Sequence, residues 1–265
     1  MNQSPTKILF PILDDHLKTL KQRWFAEAHE NVGHDVFVNT ADEWFKSTKL
    51  NNVIGWEKFK EKDVIIGCTQ FIENICLKHS WNIQVLPYDY AYYSVMGKQS
   101  TSPGELKEGI PLIVSLPNWK YGDIYPSWDI ILKECENKNI DIHIDCAWIT
   151  CSRDIHLDLT HPNIKSIGMS MSKYNLTWNR VGLRWSKQKT MDSITLFNAQ
   201  RKYNESLTAC GFFMMNNIER DYGWNTYKTK HYEICEKFSL TPSKLLHVAH
   251  DKNGDVVGIG NLLTS

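Results

Sequence analysis

The sequence lacks both a net charge and a long hydrophobic run. Its 265 residues carry 30 Lys and Arg against 30 Asp and Glu, so no basic excess is present to release counterions from a nucleic acid. No segment approaches the roughly 18–20 consecutive apolar residues that a membrane-spanning helix needs. Asp14 and Asp15 interrupt the N-terminal segment too early for a signal peptide. We therefore expect a cytoplasmic protein that binds neither nucleic acids nor membranes.

Paired cysteine motifs are also missing. The seven cysteines include no Cys-x-x-Cys pair, which removes zinc-ribbon spacing, and an odd number excludes a complete disulfide framework. We expect them to be reduced and mostly buried. Aromatic residues are abundant instead, with 10 Trp, 11 Tyr and 10 Phe. Such side chains suit a core, an interface or a site for a flat ring.

Short apolar segments alternate with helical ones through the middle of the chain. This alternation predicts an α/β domain with a mainly parallel sheet. The predicted strands are 63–67, 83–87, 111–117, 140–145, 164–172 and 181–186, followed in the tail by 245–250 and 256–263. The predicted helical segments are 12–31, 41–61 (capped by Thr40 or Asp42), 69–78, 127–137 and 188–237. The pattern divides the chain into a helical segment (1–60), an α/β domain (61–190) and a short C-terminal helical and α+β segment (191–265).

Four strand ends carry polar or special residues, and ligands of open α/β sheets collect at such ends. Gly67-Cys68-Thr69-Gln70 joins a strand directly to a helix, whose free N–H groups attract anions. The segment 117–122 is rich in turn residues and contains Asn118. Asp145 ends a strand that buries its isoleucines. Ser170-Met171-Ser172-Lys173 is followed by Arg180 and Gly182. Taken singly, each is also compatible with an ordinary turn, a helix cap or a solvated lysine.

A metal site is an alternative interpretation of one of these ends. Alternation in 140–145 places Asp141, His143 and Asp145 on one face of the strand. Three further potential ligands follow along the chain, namely His156, Asp158 and His161. These residue types would suit a metal-dependent hydrolase. Their spacing is not dense, so we expect surface polarity there and no metal.

The four strand ends occur in a recognisable order. The chain has GCTQ at 67–70, PNWKYG at 117–122, DCAW at 145–148, SMSK at 170–173 and RVG at 180–182. In this order it resembles the aspartate-aminotransferase-like superfamily of pyridoxal-phosphate enzymes (fold type I, class I/II aminotransferase-like), as a compact member. The resemblance covers about 60–190 well. It implies a three-layer αβα domain around the sheet, with 61–190 as the cofactor-binding domain.

The resemblance also implies roles for individual residues toward pyridoxal 5′-phosphate. Lys173 would hold the cofactor as an aldimine and move the substrate proton, and Asp145 would pair with the ring nitrogen. Asn118 would hydrogen-bond the phenolic oxygen. Trp148 stands where the superfamily usually has a tyrosine for that oxygen, so the contact is altered, because an indole N–H can only donate. Tyr92, preferred over Tyr90, would stack on the ring. The turn at Gly67 and the residues around it would bind the phosphate, and these are Cys68, Thr69, Ser170, Ser172 and Arg180.

The sequence departs from the superfamily pattern in three places. The interval from Lys173 to Arg180 is one residue shorter than usual. No tyrosine precedes Tyr88, so the N-terminal tyrosine that a neighbouring subunit commonly lends to the phosphate is missing. The last arginine is Arg220, which leaves no C-terminal arginine to clamp the substrate carboxylate; Arg184 and Lys244 are the substitutes that the sequence offers.

Together these features predict an enzyme that acts on an amino acid or related amine, most simply an aminotransferase. Lyase, decarboxylase or racemase chemistry would begin from the same residues. The resemblance further implies a homodimer with active sites at the interface, to which the aromatic N-terminal helices could contribute. A catalytically depleted relative that binds the cofactor without the usual carboxylate arginine is the second interpretation, and a metal-dependent hydrolase is the third.

Overall fold

The computed structural model describes residues 4–7, 12–27, 31–96, 98–99, 102–174 and 180–264. The strands in these ranges are β1 (Asn52–Ile54), β2 (Glu61–Ile65), β3 (Gln84–Val85), β4 (Lys98–Gln99), β5 (Leu112–Ser115), β6 (Ile142–Asp145), β7 (His156–Asp158), β8 (Ile164–Ser170), β9 (Gly182–Ser186), β10 (Thr241–Pro242), β11 (Val248–His250) and β12 (Val256–Gly258). The helices are α1 (Asp15–Ala26), α2 (His34–Lys46), α3 (Gly67–Lys78), α4 (Ala91–Met96), α5 (Trp128–Asn137), α6 (Ser193–Ala199), α7 (Glu205–Asn217), α8 (Tyr222–Lys237) and α9 (Gly260–Leu263).

A seven-stranded sheet forms the centre of the fold, in the order β2-β9-β8-β6-β5-β3-β4. Strand β9 runs antiparallel to both of its neighbours, and the other pairs in this sheet are parallel. Ser115, Asp145 and Gly168 stand side by side in β5, β6 and β8. The polar residues that follow these strands therefore collect at one edge of the sheet. The predicted α/β fold with a mainly parallel sheet is confirmed.

The sheet separates two apolar layers. Ile142 and Ile144 of β6 lie in the larger core cluster, which includes side chains of α1, α2, α5 and α7. Ile113 of β5 faces the opposite side and packs with residues of α3, including Phe71 and Ile72. Alternation along β6 thus places Asp145 on the side of the sheet that α3 covers. Helices on both faces make the predicted three-layer arrangement.

The N-terminal helices differ from the prediction. The second helix begins at His34 and ends at Lys46, so the predicted helix over 41–61 is wrong in both bounds, and Asp42 lies inside the helix rather than at its cap. Asn52–Ile54 instead forms β1, which pairs with β7. Gly55 follows with φ of +91°, a conformation that ends the strand and that side chains rarely adopt. Tertiary pairing here overrides the apolar periodicity of the segment.

The C-terminal segment is partly as predicted. The helical pattern over 188–237 resolves into α6, α7 and α8, and the DKNGD turn joins β11 to β12. Strand β12 ends at Gly258, however, and Gly260–Leu263 is a short helix, so the predicted strand over 256–263 is wrong in its second half. A separate apolar cluster joins β11, α8 and α9 and includes Trp224, Ala249 and Leu262. No helix among the described residues is both long enough and apolar enough to cross a membrane.

A buried ion cluster fastens the antiparallel edge of the sheet. Arg184 of β9 is 3% exposed, and its guanidinium donates to Asp63 Oδ2 of β2 at 2.5 Å and to Asp192 Oδ2 at 2.7 Å. It also donates to Thr195 Oγ1 of α6 at 2.7 Å. Asp192 in turn caps α6 by accepting from the Thr195 backbone N–H. One arginine thereby holds two strands and a helix together.

We predict that Arg184→Ala destabilises the protein by about 3–5 kcal/mol, because it leaves two buried carboxylates without a cation. Urea unfolding measures the free energy. Arg23→Ala is the matched control, since Arg23 pairs with Glu27 on the exposed surface of α1 and such pairs contribute about 0–1 kcal/mol. An equal decrease in the free energy of unfolding in the two variants would contradict the structural role of the ion cluster.

Candidate active site

A cavity of about 410 Å³ opens at the carboxyl ends of β5, β6 and β8. This volume lies within the roughly 300–1,000 Å³ range of small-molecule sites. Its lining residues are Lys7, Cys68, Thr69, Ile72, Tyr90, Ala91, Ser115, Trp119, Asp145, Ala147, Trp148, Ser170, Ser172, Lys173 and Arg180. The structure therefore brings most of the predicted site residues together, and the polar and aromatic residues that it adds are Lys7, Tyr90, Ser115 and Trp119.

One corner of the cavity has the chemistry of an anion site. Helix α3 begins at Gly67, so its first N–H groups have no partner within the helix and point toward this corner. Arg180 lies across from them and donates to Thr69 Oγ1 at 3.2 Å. Gly67 has φ of +75°, and a Cβ there would come within 3.2 Å of Arg180 Cβ. Glycine at this position therefore leaves room for the arginine beside the helix terminus.

Two hydroxyls extend the same corner. Ser170 ends β8, and Ser172 lies in the short 3₁₀ turn that follows it, Met171–Lys173. The Oγ atoms of the two serines are 3.0 Å apart. Both residues line the cavity together with Cys68 and Thr69. Hydroxyl groups, helix N–H groups and a guanidinium are the donors that proteins use for phosphate. The residues predicted for phosphate binding thus lie around one corner.

The carboxylate of Asp145 lines the same cavity, within hydrogen-bond reach of the Cys68 thiol. Asp145 is 4% exposed, and its oxygens accept from the Ala147 backbone N–H at 2.9 Å and from the Tyr93 hydroxyl at 2.7 Å. Burial raises the pKa of this carboxyl, while the donors and the Lys173 charge oppose the rise. A buried carboxylate in this setting gains stability from any additional cationic donor that reaches it.

A hydrogen-bonded chain behind Asp145 was not predicted. Ser115 Oγ donates to the Tyr93 hydroxyl at 3.0 Å, and Tyr93 donates to Asp145. The backbone N–H groups of Ser115 and Tyr90 both donate to Asp89, at 3.0 and 2.7 Å. Burial raises the pKa of Asp89 to about 7, with the Asp145 charge adding to the rise. Two buried carboxyl groups are thus connected through a serine and a tyrosine.

Lys173 is half-buried beside the cavity. Burial lowers the pKa of its ammonium, and the negative charge of Asp145 opposes that effect. Its Nζ lies 3.7 Å from the centroid of the Trp148 ring. The Trp148 ring also contacts the ring of His247 edge-on, with the two ring centroids 5.4 Å apart. The lysine therefore lies between an aromatic ring and the cavity, and burial makes its ammonium easier to deprotonate.

His247 is the least satisfied polar side chain near the lysine. It is buried, and no described residue comes within hydrogen-bond distance of either ring nitrogen. Burial lowers its pKa to about 3, and the Lys173 charge adds to the decrease. The ring is therefore neutral at physiological pH and supports Trp148 as an aromatic surface.

Two predicted contacts lie elsewhere. Tyr92 is not among the lining residues and donates to Glu73 Oε1 at 2.6 Å, while Tyr90 lines the cavity. Asn118 is completely buried in its turn, where its Oδ1 accepts from Lys120 N at 2.8 Å and its Nδ2 donates to Tyr88 O. Tyr90 is therefore better placed than Tyr92 to contact an aromatic ring bound in the cavity. The Asn118 side chain instead stabilises its own loop.

The substitutes for a carboxylate-binding arginine are engaged in other contacts. Arg184 is part of the buried ion cluster, and Lys244 forms an ion pair with Asp123. Arg220 is 2% exposed and pairs with Asp221, and it also donates to Ile149 O at 2.6 Å. None of the three lines the cavity within the described part of the chain.

The potential metal ligands are dispersed. His143 is buried and its Nδ1 lies 2.7 Å from Ser166 Oγ, while His156 and Asp158 lie exposed on β7, outside the main sheet. Across the described ranges, no group of three or more His, Cys, Asp or Glu side chains is arranged to hold a metal ion. The geometry gives the hydrolase interpretation no support.

No protein-family model and no curated protein matches the sequence. Solved structures do match. The chain is similar to a pyridoxal-phosphate-bound C–S lyase from Staphylococcus hominis (TM-score 0.61, 11% identity, covering 94% of this chain and 74% of the other). It is also similar to a tetra mutant of Thermus thermophilus aspartate aminotransferase, with a TM-score of 0.58 and 13% identity over 93% of this chain and 79% of the other. A Pyrococcus furiosus alanine aminotransferase matches with a TM-score of 0.59 and 13% identity over 92% of this chain and 73% of the other.

The chain has the aspartate-aminotransferase-like fold. The resemblance predicted from the five ordered motifs is thereby confirmed at the level of the fold. The sequence holds a signal near each of two residues that were not predicted, Tyr93 and Ser115. Tyr93 directly follows the predicted Tyr92, and Ser115 ends an apolar strand next to the strand of Asp145. Lys7 has no such signal, because its place in the cavity depends on long-range pairing.

We predict that Tyr93→Phe destabilises the protein by about 1–3 kcal/mol, because it removes a donor from a buried carboxylate. Tyr92→Phe is the control, since the Tyr92 hydroxyl contacts Glu73 in a half-buried position and its removal should cost less than about 1 kcal/mol. Urea unfolding of both variants provides the comparison. A Tyr93→Phe variant as stable as Tyr92→Phe would show that the hydrogen bonds from Ser115 through Tyr93 to Asp145 add nothing to the free energy of unfolding.

Asp89 should make stability depend on pH. Its folded-state pKa of about 7 lies above that of an exposed aspartate, so ionisation destabilises the fold as pH rises from about 4 to about 7. Asp89→Asn removes this titration but leaves one backbone N–H short of an acceptor. We predict that the stability of the variant relative to wild type increases between about pH 4 and pH 7, measured by urea unfolding. A pH-independent difference would contradict the buried ionisation.

Proposed function

We propose that this protein is a pyridoxal-phosphate-dependent enzyme that acts on an amino acid or related amine through Lys173, most simply as an aminotransferase. One observation carries the proposal. A single cavity holds Lys173, the buried carboxylate of Asp145, and the anion corner formed by Thr69, Arg180 and the start of α3. The names of the similar structures, which include a pyridoxal-phosphate-bound lyase and two aminotransferases, support it.

The cavity fits the cofactor in charge and in chemistry. The phosphate would take the corner where Arg180, Thr69 and the two serines supply donors. Asp145 would receive the protonated ring nitrogen, which gives this buried carboxylate the counter-charge that burial demands. Tyr90 lies along the wall beside which the ring would lie, and Trp148 lies under Lys173 Nζ.

Lys173 would perform the proton transfers. The bound cofactor supplies an electron sink for negative charge that develops at the substrate Cα. Because burial lowers the pKa of Lys173, its Nζ is more readily neutral, and a neutral amine can attack a carbonyl carbon and accept a proton from Cα. Contact with the Trp148 face stabilises the same group whenever it is charged.

Elimination is the second candidate activity, since the match to the C–S lyase has a TM-score of 0.61. The products separate the two candidates. An aminotransferase passes the amino group to a second oxo acid, whereas a lyase releases ammonia. A cofactor-binding protein that turns over no amino donor would instead fit the catalytically depleted interpretation. The homodimer, the boundaries at 60 and 190 and the cytoplasmic location stay predictions.

The proposal predicts that purified protein gains visible absorbance when pyridoxal phosphate is added, and that borohydride reduction fixes the cofactor on Lys173. Peptide mapping identifies the modified lysine. Lys173→Ala should abolish the visible band. Lys187→Ala is the matched control, because burial also lowers the pKa of Lys187, to about 8, yet that residue bonds to the carbonyls of Thr160 and His161 and does not line the cavity.

Two results would contradict the proposal. One is a protein whose absorbance does not change with added cofactor. The other is reductive modification of a lysine other than Lys173 in the wild-type protein, with the Lys173→Ala variant still coloured.

A further inference from the structure

Three cationic side chains and one carboxylate line the described part of the cavity. The cations are Lys7, Lys173 and Arg180, and the carboxylate is Asp145. The proposed function uses Arg180 for the phosphate, Lys173 for covalent attachment and Asp145 for the ring nitrogen. Lys7 has no role in that assignment. A cation left over after the cofactor's groups are matched is available to a charged group of the substrate.

The backbone beside Lys7 is fixed by the C-terminal sheet. Thr6 and Gly258 of β12 form an antiparallel bridge, with Thr6 N donating to Gly258 O at 3.1 Å and Gly258 N donating to Thr6 O at 2.7 Å. Strand β12 pairs in turn with β11, whose His250 approaches Lys120 O at 2.9 Å beside Trp119 of the cavity wall. The pairing places residue 7 at the cavity and not elsewhere on the surface.

Exposure places Lys7 at the mouth rather than at the base. Its side chain is exposed, whereas Lys173 is half-buried and Asp145 is buried. Among the described residues, no carboxylate forms an ion pair with Lys7. The other cations considered for carboxylate recognition, Arg184 and Lys244, are each paired with an aspartate away from the cavity.

We propose that Lys7 binds the carboxylate of the substrate, so that the protein selects amines that carry a carboxylate over simple amines. This inference rests on the proposed function and deepens it. A lysine ammonium is a point charge on a flexible stem and does not impose the paired geometry of a guanidinium. Recognition by Lys7 therefore predicts tolerance of carboxylates at different distances from the amine.

The test uses full-length protein loaded with pyridoxal phosphate, with succinate as a carboxylate probe and succinamide as its neutral counterpart. Calorimetry measures the affinity of each probe. Wild-type protein should bind succinate more tightly than succinamide. Lys7→Gln should weaken succinate binding by about 2-fold to 5-fold, as expected for loss of one solvent-exposed ion pair. Lys7→Arg should retain most of the affinity, and added salt should lower it because the pair is exposed.

Lys252→Gln is the matched control, because Lys252 is an exposed lysine in the turn that joins β11 to β12 and does not line the cavity. It should bind succinate as wild type does. The visible cofactor band reports loading and should be the same in every variant. A loaded Lys7→Gln protein that binds succinate as wild type does, or a loaded wild type that does not prefer succinate over succinamide, overturns the role of Lys7 alone. A wild type that takes up no cofactor overturns the proposed function, and this inference with it.

Discussion

The carboxylate of Asp145 is the constraint on which the site depends. A carboxylate 4% exposed is costly unless donors and a cation surround it. Here helix α4 supplies the Tyr93 hydroxyl, the chain after β6 supplies the Ala147 N–H, and Lys173 contributes charge. The parallel register of β5 and β6 brings Ser115 beside Asp145, where it completes the chain through Tyr93. One side chain, that of Asp145, therefore connects the sheet, helix α4 and the turn that carries Lys173.

The anion corner of the cavity depends on the antiparallel strand β9. Strand β9 begins two residues after Arg180, at Gly182, and its Arg184 is held by Asp63 and Asp192. The ion cluster thus fixes the strand whose start presents Arg180 to Thr69. Gly67 completes the arrangement, since a Cβ at that position would press against the Arg180 side chain. Buried pairs of this kind often add little net stability, but here the pair fixes the strand next to Arg180.

Much of the site was predictable because its residues follow apolar strands in a fixed order. A strand of four residues such as β6 shows its period of two directly, so the position and face of Asp145 follow from the sequence. The tyrosines at 92 and 93 show the limit. They are adjacent on α4, a six-residue helix, and only its orientation determines which hydroxyl reaches Asp145 and which reaches Glu73. Asn118 shows a second limit of prediction, because the side-chain amide of a turn residue can hydrogen-bond within its own loop rather than to a ligand. The extent of α2 could not be predicted either, since β1 forms only by pairing with β7.

Charge in the cavity connects these parts to the ends of the chain. Burial shifts the pKa of Asp145 upward and that of Lys173 downward, so burial disfavours the charged form of each group and a nearby partner of opposite sign favours it. A ligand with an anionic end and a cationic ring nitrogen supplies both partners at once, at Arg180 and at Asp145. What remains is the charge of Lys7, which the pairing of Thr6 with Gly258 brings to the mouth. The C-terminal α+β segment thus contributes to the site by positioning an N-terminal lysine, without placing an arginine of its own there.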